Sequence, residues 1–257
     1  MTGPRRRRAR LPLALAGLVV ALVLGAVALA AAQEPPAPTP ETPPVPLAGE
    51  RIGTSVQGRA IRLVRLGDPA APRRVLVVGC VHGDECAART VVGELLRRRT
   101  VPDGAQLLLV RSANPDGQAA HRRQNADGVD LNRNSSAGWR PLRGAQYAGP
   151  RPWSEPESRA LRDLILRERP ALVLWYHQPL DLVDRPERGR ATVGRRYARL
   201  AGLPFRPLGA YPGSLSRWVN TRIRSGTSFV VELPAGPLSA RATRRHAAAV
   251  LALARGR

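Results

Sequence analysis

Four short aliphatic runs recur after residue 49: "RVLVVGC" (74–80), "QLLLVRS" (106–112), "ALVLWY" (171–176) and "TSFVVELP" (227–234). Nearly continuous apolar runs of this length predict strands buried on both faces. "GTSVQGRAIRLVRLG" (53–67) instead alternates around Gln57-Gly58, which predicts a hairpin. Helical spacing fills most of the intervals, over 85–99, 154–169, 190–201, 214–222 and 239–254. The first of these ends in Arg97, Arg98 and Arg99, where positive charge suits a helix C-terminus. Ser154 with Glu157 three residues on predicts a capping box, and Pro170 ends that helix. "NPDG" (114–117) is a turn signal, and the stretch 117–152 is long, polar and rich in Gly and Arg. Buried strands alternating with helices predict an α/β fold, a mixed, mostly parallel twisted sheet with helices on both faces. In such folds the polar groups at the carboxyl ends of strands line the site.

The N-terminus changes the picture from one segment to three. "RRRRAR" (5–10) precedes an uncharged stretch over 11–32, long enough at ~1.5 Å per residue to cross a ~30 Å hydrocarbon core. Residues 1–32 therefore read as a basic n-region followed by a transmembrane anchor or signal peptide, "ALAAAQ" offering small-residue cleavage points. The rest of the chain is then exported, either membrane-anchored or secreted. Seven of the sixteen residues in 33–48 are proline, as in a stiff linker, leaving 49–257 as the folded domain. The formal net charge is +22, yet all 41 basic residues are arginine and they are scattered without interleaved aromatics. That pattern fits a compositional bias rather than a nucleic-acid surface, and no nucleic-acid partner is expected. The lack of lysine also removes Schiff-base and phosphate-loop chemistry.

The candidate chemistry falls at the predicted strand ends. His82 and Glu85 follow the first buried run, and His177 ends the third. Alone, an H-x-x-E spacing is weak. Two histidines with one carboxylate are nonetheless a usual catalytic zinc set that leaves a position open for water. Glu232 lies in an apolar strand, where a carboxylate is costly unless paired, ligated or used. It is a natural general base, although taken alone a salt bridge to an arginine is the better explanation. The loop "HRRQNADGVDLNRN" (121–134) supplies Arg123 and Arg133 as fork donors for carboxylates and oxyanions, and Asn132 as an amide donor. Asp130 and Asn125 are placed to hold those donors.

In order along the chain, "HGDE", "NPDG", "R-x-N", "DLNRN", a lone histidine after a strand, and "VELP" resemble the zinc metallocarboxypeptidases related to carboxypeptidase A. The wording "GCVHGDECA", "GVDLNRN" and "WYHQPLDLVD" resembles the bacterial murein tripeptide amidase branch. The resemblance implies one zinc ion held by His82, Glu85 and His177, with Glu232 activating water and passing its proton to the leaving amine. It implies Arg123 at the oxyanion, chosen over Arg122 because it stands two before Asn125. It implies Asn132 and Arg133 on the substrate's terminal carboxylate, and Tyr211 as the cap over the end residue. The implied substrate is a peptide with a free C-terminal carboxylate. The γ-D-glutamyl–diaminopimelate bond of murein peptides leads the reading, with α-linked peptides as the alternative. An aspartoacylase-type deacylation or a non-catalytic wall-binding module stands lower. Cys80 and Cys86, the only cysteines, fit a disulfide clasping the zinc turn if their alpha carbons come within ~7 Å, or else two buried thiols.

Overall fold

The computed structural model describes residues 49–186, 191–223 and 226–256. The segments 1–32 and 33–48 lie outside the described residues. Among the described residues, no helix is long and apolar enough to cross a membrane.

Eight strands of the described residues form one sheet: β1 (Glu50–Thr54), β2 (Ala60–Gly67), β3 (Arg73–Val78), β4 (Ala105–Val110), β5 (Leu172–His177), β6 (Leu180–Asp184), β7 (Phe205–Arg206) and β8 (Thr227–Pro234). Their spatial order is β1-β2-β4-β3-β5-β8-β6-β7. The centre, β4-β3-β5-β8, is parallel throughout. β1–β2, β2–β4 and β8–β6 are antiparallel, and β6–β7 is parallel. Among the described residues six α-helices accompany the strands: α1 (Ala88–Arg98), α2 (Pro115–Ala119), α3 (Pro156–Glu168), α4 (Ala191–Ala201), α5 (Leu215–Arg222) and α6 (Ala240–Ala254).

The period of two along each strand divides the core. Val75, Val77, Leu107, Leu109, Leu172, Leu174, Phe229 and Val231 pack with α1, α4 and α6. Leu76, Val78, Leu108, Val110, Val173, Trp175 and Val230 point the other way, against α3 and α5. Helices thus cover both faces, which is why the central strands read as unbroken apolar runs. On the second face the buried indole of Trp175 donates to Ser228 Oγ at 2.7 Å.

Several local expectations are revised. α1 starts at Ala88 rather than at residue 85. Residues 81–87 form a loop instead, in which Glu85 turns its carboxylate toward two histidines and Gln178 Oε1 accepts from Ala87 N at 3.0 Å. The predicted capping box at Ser154 does not form. Pro156 takes the first turn of α3, Ser154 Oγ donates to Glu155 Oε1, and Glu157 turns inward to accept from Asn125 and from Val56 N. "NPDG" is more than a turn: Asn114 caps α2 by accepting from Gly117 N at 2.9 Å. β6 and β7 carry no apolar run, since Asp181 and Asp184 interrupt β6 and β7 has two residues.

Candidate metal centre

Parallel strands bring their carboxyl ends to one edge of the sheet. β3 leads there into the loop 79–87, β5 ends in His177, and β8 carries Glu232 near its end. His177 and Glu232 are register partners on adjacent strands. Both therefore project from the α3/α5 face of the sheet, side by side.

His82 Nδ1 and His177 Nδ1 lie 3.0 Å apart, and both approach Glu85 Oε2, at 2.9 and 2.8 Å. Two ring nitrogens and a carboxylate oxygen converge on one point, and both histidines are almost wholly buried. His82 Nε2 is 2.9 Å from Asp130 Oδ1. That contact puts the proton on Nε2 and leaves the Nδ1 lone pair facing the cluster, an arrangement that orients metal-ligating histidines. The donor set and its outer carboxylate fit a zinc ion.

The ionisation of the cluster follows from its neighbours. Burial pushes the Glu85 carboxyl up, but hydrogen bonds from His177 and His82 outweigh burial and hold it well below the usual range. Asp130 is likewise depressed: burial opposes, while the His82 hydrogen bond and the Arg123 and Arg133 charges prevail. Burial and the adjacent His82 lower His177, favouring the neutral imidazole that a ligand must present. Glu232 moves the other way. Burial, then the Glu85 charge, push it up to about 7. Its Oε2 is buried and has no hydrogen-bond partner among the described residues.

Arg123 spans the cluster. Its Nη1 donates to Glu85 Oε1 at 2.9 Å, and Nε and Nη2 donate to Asp130 Oδ2 at 3.0 and 2.9 Å. Three of its five N–H groups are so engaged and two are left over. Arg122 is exposed and donates to the Asn125 carbonyl. Asn132 Oδ1 accepts from Leu215 N at 3.0 Å, and its Nδ2 lies 3.3 Å from His177 Nε2. Arg133 is 5% exposed, donates to its neighbour's carbonyl, Asn132 O, and stacks under the Tyr211 ring at 4.5 Å. All eight of these residues (His82, Glu85, Arg123, Asn132, Arg133, His177, Tyr211, Glu232) line one cavity of about 400 Å³.

Close backbone approaches hold the loops in place. A Cβ on Gly83 would lie 1.9 Å from Gly117 C, so the glycines of "HGDE" and "NPDG" pack against each other. Gly213, at φ +69°, sits so near Arg133 that a Cβ would fall 1.8 Å from its carbonyl oxygen. Backbone bonds Ser135 N to Gly213 O and Gly213 N to Ala137 O stitch the Tyr211 segment to the 133–137 segment. Cys80 and Cys86 are joined as a disulfide across the metal loop, with alpha carbons 4.6 Å apart.

Two placements differ from expectation. Asp130 does hold Arg123, but Asn125 does not hold the donors: it binds Glu155 and Glu157 and closes its own turn. Gln178 has a role that the sequence did not suggest. Its N–H donates to Glu85 Oε2 at 3.2 Å and its Nε2 to Pro234 O at 2.7 Å, tying the metal loop to the end of β8. Only its position beside His177 could have singled it out. Asp184 and Arg217 are also new, both lining a recess beside Tyr211 with Ser216 and Asn220.

Residues 47–184 match the zinc carboxypeptidase family. Murein peptide amidase A of Escherichia coli K12 is 32% identical over 206 residues, covering 70% of this chain and 80% of that protein. The crystal structure of the murein-tripeptide amidase of Escherichia coli O157 superposes with a TM-score of 0.65 at 29% identity, over 80% of this chain and 91% of that one. Carboxypeptidase A of Helicoverpa armigera shares the fold, with a TM-score of 0.67 at 20% identity over 80% of this chain and 68% of its own.

Proposed function

Since the chain belongs to the zinc carboxypeptidase family of hydrolases, we propose that it removes a C-terminal residue from murein peptides by cutting the γ-D-glutamyl–diaminopimelate bond. The observation that carries this is the His82–Glu85–His177 cluster beside the buried Glu232 carboxylate, raised to about 7, in a chain 32% identical to a murein peptide amidase. When bound by the three ligands, zinc supplies a Lewis acid that polarises a carbonyl and acidifies water.

The remaining work falls to the chain's own groups. Glu232 accepts the proton of the attacking water on its carboxylate and delivers it to the leaving nitrogen. A carboxylate raised to about 7 is matched to both halves of that transfer. Arg123, fixed by Asp130, turns its two spare N–H groups toward the developing oxyanion, an effect worth ~3–4 kcal/mol in other hydrolases. Asn132 and Arg133 bind the terminal carboxylate, and Tyr211, stacked on Arg133, closes over the end residue. The recess beyond Tyr211 carries Asp184 and Arg217, charges of both signs. The basic n-region and apolar stretch of 1–32 support an exported, wall-facing enzyme.

The test is metal analysis together with hydrolysis of L-Ala-γ-D-Glu-diaminopimelate and of α-linked dipeptides. One zinc per chain and cleavage of the γ-linked tripeptide are expected. Cleavage of the α-linked set alone would overturn the murein assignment, and cleavage of neither by zinc-loaded protein would overturn the peptidase reading.

A further inference from the structure

A second cavity, of about 220 Å³, lies on the α1 side of the sheet and shares no lining residue with the metal centre. Helix α2 stands between the two. Its Gly117 packs on Gly83 of the metal loop, while Pro115 and Gln118 line the second cavity. Strand alternation sets Ala60, Arg62 and Val64 of β2 on one wall, with Leu109 and the residues after β4, Arg111 and Ser112, beside them. Arg89 and Val92 of α1 close it.

Three guanidinium groups therefore line this cavity, and no acidic side chain does. Elsewhere arginines find carboxylates: Arg59 with Asp116, Arg65 with Glu168, Arg98 with Glu94. Here Arg62 donates to the Gly49 carbonyl, but the side chains of Arg89 and Arg111 have no hydrogen bond or ion pair among the described residues. Two buried polar atoms in the wall, Arg111 Nε and Ser112 Oγ, have no partner among them either. Burial and the neighbouring Arg89 charge also push Arg111 below its ordinary pKa. Two like charges face each other with nothing acidic between them.

We propose that this cavity binds a phosphate or carboxylate group carried by a small molecule, at a site separate from the catalytic one. The oxyanion would bridge the guanidinium groups of Arg111 and Arg89 and leave its organic body against Val64, Val92 and Leu109. Guanidinium forks match either anion in a two-bonded arrangement.

The test titrates zinc-loaded full-length protein with inorganic phosphate and with acetate, by calorimetry, in wild type, Arg89→Gln, Arg111→Gln and Arg133→Gln. Saturable binding of at least one anion is expected, and which one binds assigns the anion class. That binding should weaken tenfold or more in Arg89→Gln and Arg111→Gln and persist in Arg133→Gln. Arg89→Gln, on the partly exposed side of α1, should keep its wild-type kcat/KM in anion-free buffer. It also keeps the test decisive if Arg111→Gln does not fold. Absence of saturable binding, or binding lost in Arg133→Gln and unchanged in Arg89→Gln, would overturn the proposal.

Discussion

At the scale of single residues, the site separates into groups that hold and one group that is held ready. Glu85 and Asp130 are locked in their charged forms by histidine and arginine partners, whereas Glu232 has a buried oxygen with none. Glu232→Gln should retain stoichiometric zinc and lose about 10²–10⁴-fold in kcat; a variant within a few-fold of wild type would refute the base role. Because the base must be ionised, kcat/KM should fall as pH drops through its pKa, with the acid limb at or below about 7. The limb should be absent from the residual activity of Glu232→Gln. Asp130→Asn removes the carboxylate that orients His82 and anchors Arg123, so zinc affinity should drop ~10–100-fold, read by competition with a chromogenic chelator. These roles were legible unevenly. His82 and Glu85 gain meaning from His177 and Glu232, about a hundred or more residues away, and no local spacing states that. Asp130 stood within a readable motif, while Gln178 works through contacts to Ala87, Pro234 and Gly236 that only the folded chain creates.

At the scale of elements, the apolar runs gave the buried strands directly, because a strand covered on both faces has no polar side to confuse the pattern. Where function competes with regular structure, the pattern misleads. The helical spacing from residue 85 continues through a loop whose side chains are turned toward a metal site, so α1 begins later. β6 went unseen because its hydrogen bonds to β8, rather than apolar side chains, make it a strand. Motif glycines are explained at this scale as well. Gly213 combines a left-handed backbone with contact against Arg133, so Gly213→Ala should destabilise the fold by ~1–3 kcal/mol. It should also raise KM more than it lowers kcat, by displacing Arg133 and the Tyr211 segment. Urea denaturation and steady-state kinetics with the tripeptide check both, and an unchanged KM would show that the segment does not position the substrate.

At the scale of the whole molecule, the α/β class and the helices on both faces were readable, but the strand order was not, since it depends on which runs pair across long distances. The high charge says little about function globally; arginines pair with Glu50, Glu85, Glu94, Asp116, Asp130, Asp163 and Glu168, and the informative arginines are those left over. Zinc should stabilise the native state alone. At a hundredfold excess over Kd, binding adds about 2.7 kcal/mol, so a chelator should lower Tm by roughly 5–10 °C. Calorimetric scans with and without chelator measure this, and coincident transitions would mean that the site does not bind metal tightly. The sheet order has a temporal consequence. β8, near the C-terminal end of the chain, inserts between β5 and β6, which are already synthesised and separated only by a short turn. A nascent chain that already contains all three candidate metal ligands still lacks the strand that joins β5 to β6, and with it Glu232. On the proposed mechanism the hydrolase therefore stays inert during translation until β8 arrives, with α6 still to be added behind it.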